Sequence, residues 1–245
     1  MAISQRFEYV ELEINSMCDM NCPHCDRFVN VLPAPPMTLK QVKHFVEESL
    51  SLSWEWKRIH ILGGEPTLHR QLLPILDVLC EYRTYYPNVL LRVISNGNGR
   101  LADVRGEIEK RNIAINVEAK DGKLPAYFTN MYRAPLDVLK SSEPVAPCAI
   151  FGIAGCGLGL TRHGYFLCGA GAAIARITNQ SVGVMKLSDV TYDAMLEQAK
   201  TLCNVCGHHE SAGAIASQDD GVTPFWTGVF NTCKDIRNDM PLYGA

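Results

Sequence analysis

The sequence lacks an excess of one charge, a long apolar run and a targeting segment. Its 23 Lys and Arg stand against 26 Asp and Glu, a net charge of −3 at pH 7, with an isoelectric point near 6.2. No basic footprint results, which argues against nucleic acid as a partner. Its longest apolar stretches, such as VLLRVI at 89–94, are only strand-length and fall well short of a membrane span. The start, MAISQRFEYVELE, has neither the apolar core nor the cleavage site of a signal peptide. Internal repeats and low-complexity tracts are also absent. These absences lead to the expectation of a cytoplasmic protein. A length of 245 residues, 47% hydrophobic and 20% charged, suits one sizeable domain or a main domain with a small appendage.

Cysteine, by contrast, is plentiful, with ten residues. In a reducing compartment clustered thiols point to metal or redox chemistry before disulfides. Cys18, Cys22 and Cys25 fall close together and Cys80 stands alone. Cys148, Cys156, Cys168, Cys203, Cys206 and Cys233 follow more than a hundred residues after the first group.

The patterning between these groups is that of an α/β protein. YVELEINS alternates Val10, Leu12 and Ile14 with Glu11 and Glu13, a strand that runs into the first cysteines. Thr38 and Gln41 form a capping-box pattern that predicts a helix to about Leu52. RIHILGG, VLLRVI and IAINVEAKDG read as strands; QLLPILDVLCEYRTYY and LADVRGEIEKRN read as helices. This alternation predicts a parallel sheet with right-handed crossovers, whose site residues gather at the carboxyl ends of the strands. The cysteines, GGEP at 63–66 and SNG at 95–97 all fall there. Beyond about residue 140 the pattern changes: CGLGLTRHGYFLCGAG reads as a hairpin turning at His163-Gly164, and KLSDVTYDAMLEQAKTL as a helix delivering CNVCGHH. A boundary is expected within KSSEPVAP, dividing the chain into 1–140 and 141–245. Trp54 and Trp56 read as packing residues and Cys80 as core.

Three thiolates on one loop can hold three irons of a [4Fe–4S] cluster and leave the fourth iron open. The alternative is a structural zinc site completed by His24 or a distant residue, although zinc loops usually present CxxC pairs. In order, the strand leading into CDMNCPHC, then GGEP, then SNG, resemble the radical SAM superfamily over roughly residues 8–125. His24 departs mildly from the pattern, because the family favours an aromatic residue before the last cysteine. The resemblance implies a partial (β/α)6 TIM-like barrel and an open iron that binds S-adenosylmethionine (SAM). Reductive cleavage would then yield a 5′-deoxyadenosyl radical that abstracts a substrate hydrogen. It also implies an external electron donor such as flavodoxin or ferredoxin. Gly63 and Gly64 would allow close approach to the cofactor, Glu65 would accept from its ammonium group, and Ser95 and Asn96 would meet its ribose. Glu118 and Lys120 are candidate catalytic groups at the same mouth.

The hairpin brings Cys156 and Cys168 near each other, and CNVC supplies Cys203 and Cys206. Two such pairs suit a tetrathiolate site, with zinc again the alternative and His208 and His209 as spare ligands. The arrangement resembles the twitch or SPASM extensions of radical SAM enzymes, which hold a second, auxiliary [4Fe–4S] cluster. The family's spacing leaves Cys148 and Cys156 as rivals for the fourth ligand, and Cys233 reads as a buried thiol. Similar layouts include a dehydrogenase of an aminocyclitol alcohol. The resemblance therefore implies oxidation of a small polar molecule in secondary metabolism, with modification of a ribosomal peptide as the rival. Only about eight residues precede the first strand, so no fused leader-recognition domain is expected. A non-catalytic protein with zinc at both sites is the rival from another class.

Overall fold

The computed structural model describes residues 7–118, 130–139, 146–148, 157–209, 221–233 and 240–244. Its six-stranded sheet is built from β1 (Tyr9–Asn15), β2 (Arg58–Gly63), β3 (Leu90–Ser95), β4 (Ala114–Val117), β5 (Leu158–Thr161) and β6 (Gly164–Phe166). The spatial order is β4-β3-β2-β1-β5-β6, parallel throughout except for the antiparallel β5–β6 hairpin. This is the expected mixed α/β fold, with one feature that the sequence did not show. The hairpin does not stand apart, because β5 pairs directly with β1, Leu12 lying beside Leu160.

Between the parallel strands run α1 (Leu39–Ser51), α2 (Leu72–Tyr85) and α3 (Leu101–Lys110); α4 (Pro135–Leu139), α5 (Gly169–Ile177), α6 (Tyr192–Leu202) and α7 (Pro224–Thr232) lie beyond them in the chain. The capping box forms as expected: Gln41 N donates to Thr38 Oγ1 at 3.2 Å, and Thr38 N donates to Gln41 Oε1 at 2.8 Å. Trp54 and Trp56 are buried, and Tyr82 of α2 holds their linker by accepting from Trp56 N and donating to Trp54 O. Val10, Leu12, Ile14, Ile59, Ile61, Leu91 and Val93 join the buried residues of α1–α3 in one core. Strand alternation sends Glu11 and Glu13 to the opposite face, yet that face is not solvated. Glu11 and Glu13 are only 5% and 7% exposed.

The sequence reading missed α5. It took the glycines after Cys168 as the end of the hairpin, because glycine disfavours helix by about 1 kcal/mol. The two glycines fall only in the first turn, four alanines accompany them in the pattern GAGAAIARI, and every residue of α5 is buried, the helix lying against β5 and β6. A Cβ on Gly169 would lie 1.5 Å from Arg27 Nη1 and 2.6 Å from Glu11 Oε2, so this ion pair would have to shift to admit one. The hairpin turns at Arg162-His163, one residue earlier than expected. The expected boundary at 140–147 falls mostly outside the described residues.

Candidate metal and cofactor site

Cys18, Cys22 and Cys25 follow the carboxyl end of β1 as free, partly exposed thiols. Two glycines seat this loop on β2. A Cβ on Gly63 would come within 2.1 Å of Asn15 O, and one on Gly64 within 2.3 Å of Met17 O. Gly64 N donates to Asn15 O at 3.0 Å and Glu65 N to Met17 O at 2.7 Å. The close approach that these glycines permit is thus to the cysteine loop itself.

Glu65 is fully buried, and four donors already serve its carboxylate. Thr67 Oγ1 donates at 2.6 Å, Thr67 N at 3.1 Å, Ser95 Oγ at 3.0 Å and Asn96 N at 2.8 Å. Asn96 Nδ2 in turn donates to Asp19 Oδ1 at 2.9 Å and lies 3.7 Å from Cys18 Sγ. Gly99 N donates to Asp19 Oδ2 at 2.7 Å. Burial pushes the Asp19 carboxyl up, but the bonds from Asn96 and Gly99 outweigh it and hold the group below its ordinary value. Three motifs far apart in sequence thereby become one hydrogen-bonded unit. Within it, Ser95 holds Glu65 and Asn96 reaches the cysteine loop. Glu118 is exposed at the end of β4, with its backbone N donating to Ser95 O at 2.8 Å; Lys120 lies outside the described residues.

The C-terminal half supports this loop through contacts that sequence reasoning did not find. His24, at φ 56°, packs its ring 4.9 Å from that of Tyr132, and Phe28, at φ 49°, stacks on Trp226 at 4.9 Å. Trp226 opens from α7, whose Thr-Pro start at 223–224 is a helix-initiation signal that the sequence reading left unused. Burial, with help from the Asp26 charge, pushes the Cys25 thiol up to about 11.

The later thiols meet elsewhere. Cys148, Cys168, Cys203 and Cys206 line one pocket, together with Leu167, Leu202, His208 and His209. Cys168 stands at the N-terminus of α5, where its Sγ accepts from Gly171 N at 3.3 Å, and Cys203 and Cys206 follow α6. His209 Nε2 and Ala146 O, 2.9 Å apart, tie the short stretch that carries Cys148 to the CNVCGHH segment. Burial raises all three of the other thiols, Cys203 and Cys206 to about 12, and Cys148 adds like-charge repulsion to each. Four thiols crowded in an apolar pocket suit a cationic centre that would take them as thiolates. That donor set fits a [4Fe–4S] cluster, as the three-thiol loop fits a cluster with one open iron. Among the described residues, no three His, Cys, Asp or Glu are arranged to hold a single metal ion. Cys156 lies outside the described residues. Cys233 is buried at 1% exposure, as expected for a packed thiol, and Cys80 is partly buried beside Arg83.

Among the described residues no helix is long and apolar enough to cross a membrane. No family model matches the chain. It is 27% identical over 119 residues to the GTP 3′,8-cyclase of Pasteurella multocida (strain Pm70), a stretch covering 47% of this chain and 34% of that protein. The chain thus matches about a third of the length of this curated relative. Among solved structures it is similar to BtrN in an open conformation, with a TM-score of 0.51 and 16% identity over 92% of this chain and 99% of that one. It is also similar to BtrN in complex with AdoMet and 2-DOIA, with a TM-score of 0.53 and 15% identity over 99% of each chain. At such identities the likeness is one of fold. The chain is therefore an α/β protein with the fold of BtrN and a weak sequence relationship to a GTP 3′,8-cyclase.

Proposed function

We propose that this protein is a radical SAM enzyme with an auxiliary cluster, which oxidises a small polar molecule. The observation that carries the reading is the hydrogen-bonded unit joining the cysteine loop, GGEP and SNG. The similar proteins support it: one is a GTP 3′,8-cyclase, and BtrN, which shares the fold, was crystallised with AdoMet and 2-DOIA. Cys18, Cys22 and Cys25 would hold the cluster that binds SAM, and Cys168, Cys203, Cys206 and Cys148 a second one. When bound, the first cluster and SAM would supply the 5′-deoxyadenosyl radical that abstracts a hydrogen, and the second cluster would supply an acceptor for the electron that the substrate radical gives up as its proton passes to solvent.

The chain's own residues hold the loop in place. Glu65 locks the end of β2 to the start of the SNG turn, and Asn96 and Asp19 fix that turn against Cys18. The Leu167 and Leu202 side chains keep the second pocket apolar, which disfavours uncompensated thiolates and favours a bound cationic centre. An external flavodoxin or ferredoxin would supply the electron.

Anaerobic reconstitution tests the reading. The expected product is a brown protein with about eight irons per chain that forms 5′-deoxyadenosine from SAM and a reductant. A colourless protein that carries zinc and yields no deoxyadenosine would sink it. Peptide modification would win instead if a peptide substrate, and no small polar molecule, suppressed uncoupled deoxyadenosine release.

A further inference from the structure

The polar face of the sheet carries an ionic cluster that the fold leaves incompletely satisfied. Glu13 is 7% exposed, Asn15 2%, Arg27 9% and Arg176 3%. Arg27 Nη2 donates to Glu11 Oε2 at 2.7 Å, and Arg176 Nη2 to Arg27 O at 2.5 Å. The best contact to Glu13 is a long one, from Ser16 Oγ at 3.5 Å. Glu13 Oε2, Asn15 Oδ1, Arg27 Nη1, Arg176 Nη1 and His60 Nε2 are buried atoms with no hydrogen-bond partner. Five such atoms are unusual, because a native fold pairs nearly all its buried polar groups and each orphan is costly.

Their placement is also informative. Glu11 lies beside His60 in the sheet register, Glu13 is one residue pair nearer the cysteine loop, and Asn15 ends the strand. Arg27 comes two residues after Cys25, and Arg176 reaches the same place from α5. Burial raises the Glu13 carboxyl against the opposing charges of Arg176 and Arg27, and lowers Arg176 against the opposing charges of Glu13 and Cys25. Glu13, Arg27 and Arg176, each with an orphan atom, therefore meet on the polar face of the sheet, beside the loop that would hold SAM.

We propose that Glu13, Arg27 and Arg176 form a ligand subsite for a molecule without net charge that presents a hydrogen-bond donor and an acceptor side by side. Adjacent hydroxyls qualify, as does the ammonium–carboxylate pair of a zwitterion. Either motif donates to Glu13 and accepts from Arg27 and Arg176 together. A dianion would face Glu11 and Glu13, and a dication Arg27 and Arg176, so each is disfavoured. The subsite names the substrate class for the oxidation proposed above. Its reaction rests on that reading, but its binding does not.

Calorimetric titration of the reconstituted full chain, with and without SAM, tests this using myo-inositol, L-serine, succinate and putrescine. Myo-inositol or L-serine should bind, with succinate and putrescine weaker by about tenfold or more. Glu13→Gln, which keeps shape and removes charge, should weaken the neutral ligand by about tenfold, a loss on the scale of one charged hydrogen bond. Arg176→Lys serves as a second variant, and the melting temperature of each shows whether it folds. Equal or tighter binding of succinate or putrescine would overturn the proposal. So would unchanged affinity in folded Glu13→Gln, or no binding of myo-inositol and L-serine, which would leave the orphan atoms to buried water. Deoxyadenosine formation without ligand binding defeats the subsite alone. Ligand binding without deoxyadenosine formation defeats the radical SAM reading and leaves the subsite standing.

Discussion

The two groups of thiols differ in number and in the polarity of their surroundings. Cys18, Cys22 and Cys25 lie on a partly exposed loop, framed by polar neighbours such as Asp19 and Asn96. Cys203 and Cys206 are each 8% exposed in an apolar pocket that Cys168 and Cys148 also line. A three-thiol site leaves room for another ligand, whereas a four-thiol site, with Cys203 and Cys206 buried and Cys148 and Cys168 partly so, is complete in itself. The number of thiols and the degree of burial thus agree on which site would do chemistry and which would support it.

Cys22→Ala should have the largest effect. Deoxyadenosine formation should fall to background, and iron should drop from about eight to about four per chain by colorimetric assay. Cys206→Ala should lose a similar amount of iron yet keep part of the uncoupled deoxyadenosine release while losing product. Equal loss of cleavage in both variants would erase the distinction and make the second site a support for the whole fold.

Glu65→Ala sharpens the comparison from the side of the open site. It strands buried donors from Thr67, Ser95 and Asn96, and should cost about 3 kcal/mol in denaturant unfolding. Gly63→Ala should cost somewhat less, about 1–3 kcal/mol, since its Cβ would press within 2.1 Å of Asn15 O and push the cysteine loop off β2. A wild-type stability in either variant would show that the loop is not held in the way described.

The smallest expected effect concerns pH. Burial, with the charges of Arg58, Arg92 and Arg27, lowers His60 to about 4. A histidine in the unfolded chain titrates near about 6.5, so the folded protein resists a proton that the unfolded chain accepts. The stability contributed by neutral His60 is present above that value and is lost as pH falls toward 4. Melting temperature should therefore drop by a few degrees between about pH 7 and 4.5, and His60→Gln should flatten the slope. An identical slope in the variant would place the acid sensitivity elsewhere, with His163 and His69, which burial also lowers, as the next groups to examine.

Much of the α/β core was legible because its signals are local. The alternation in YVELEINS, the Thr38–Gln41 box and the glycines closing RIHILGG each act within a few residues, and each formed the element it signals. The motif residues were legible for the same reason, although their immediate contacts were not. Ser95 and Glu65 read as two separate ligand groups, and the structure shows that they bond to each other. Glu11 and Glu13 read as the polar side of an ordinary strand. Their burial involves α5, where Gly169 leaves room for Arg27 and Glu11 against the helix and Arg176 comes near Glu13.

By itself the sequence determined the strand–helix alternation, the three-cysteine loop and the motifs that accompany it, since short-range sterics and spacing carry all of these. Tertiary structure alone decided three things. It paired β5 with β1, it gathered Cys148 with Cys168, Cys203 and Cys206, and it enclosed Glu13 with Arg27 and Arg176. The physical reason is common to them. Each depends on which distant surfaces pack together, and burial, not residue identity, sets whether a thiol or a carboxylate is solvated or held in wait for a partner.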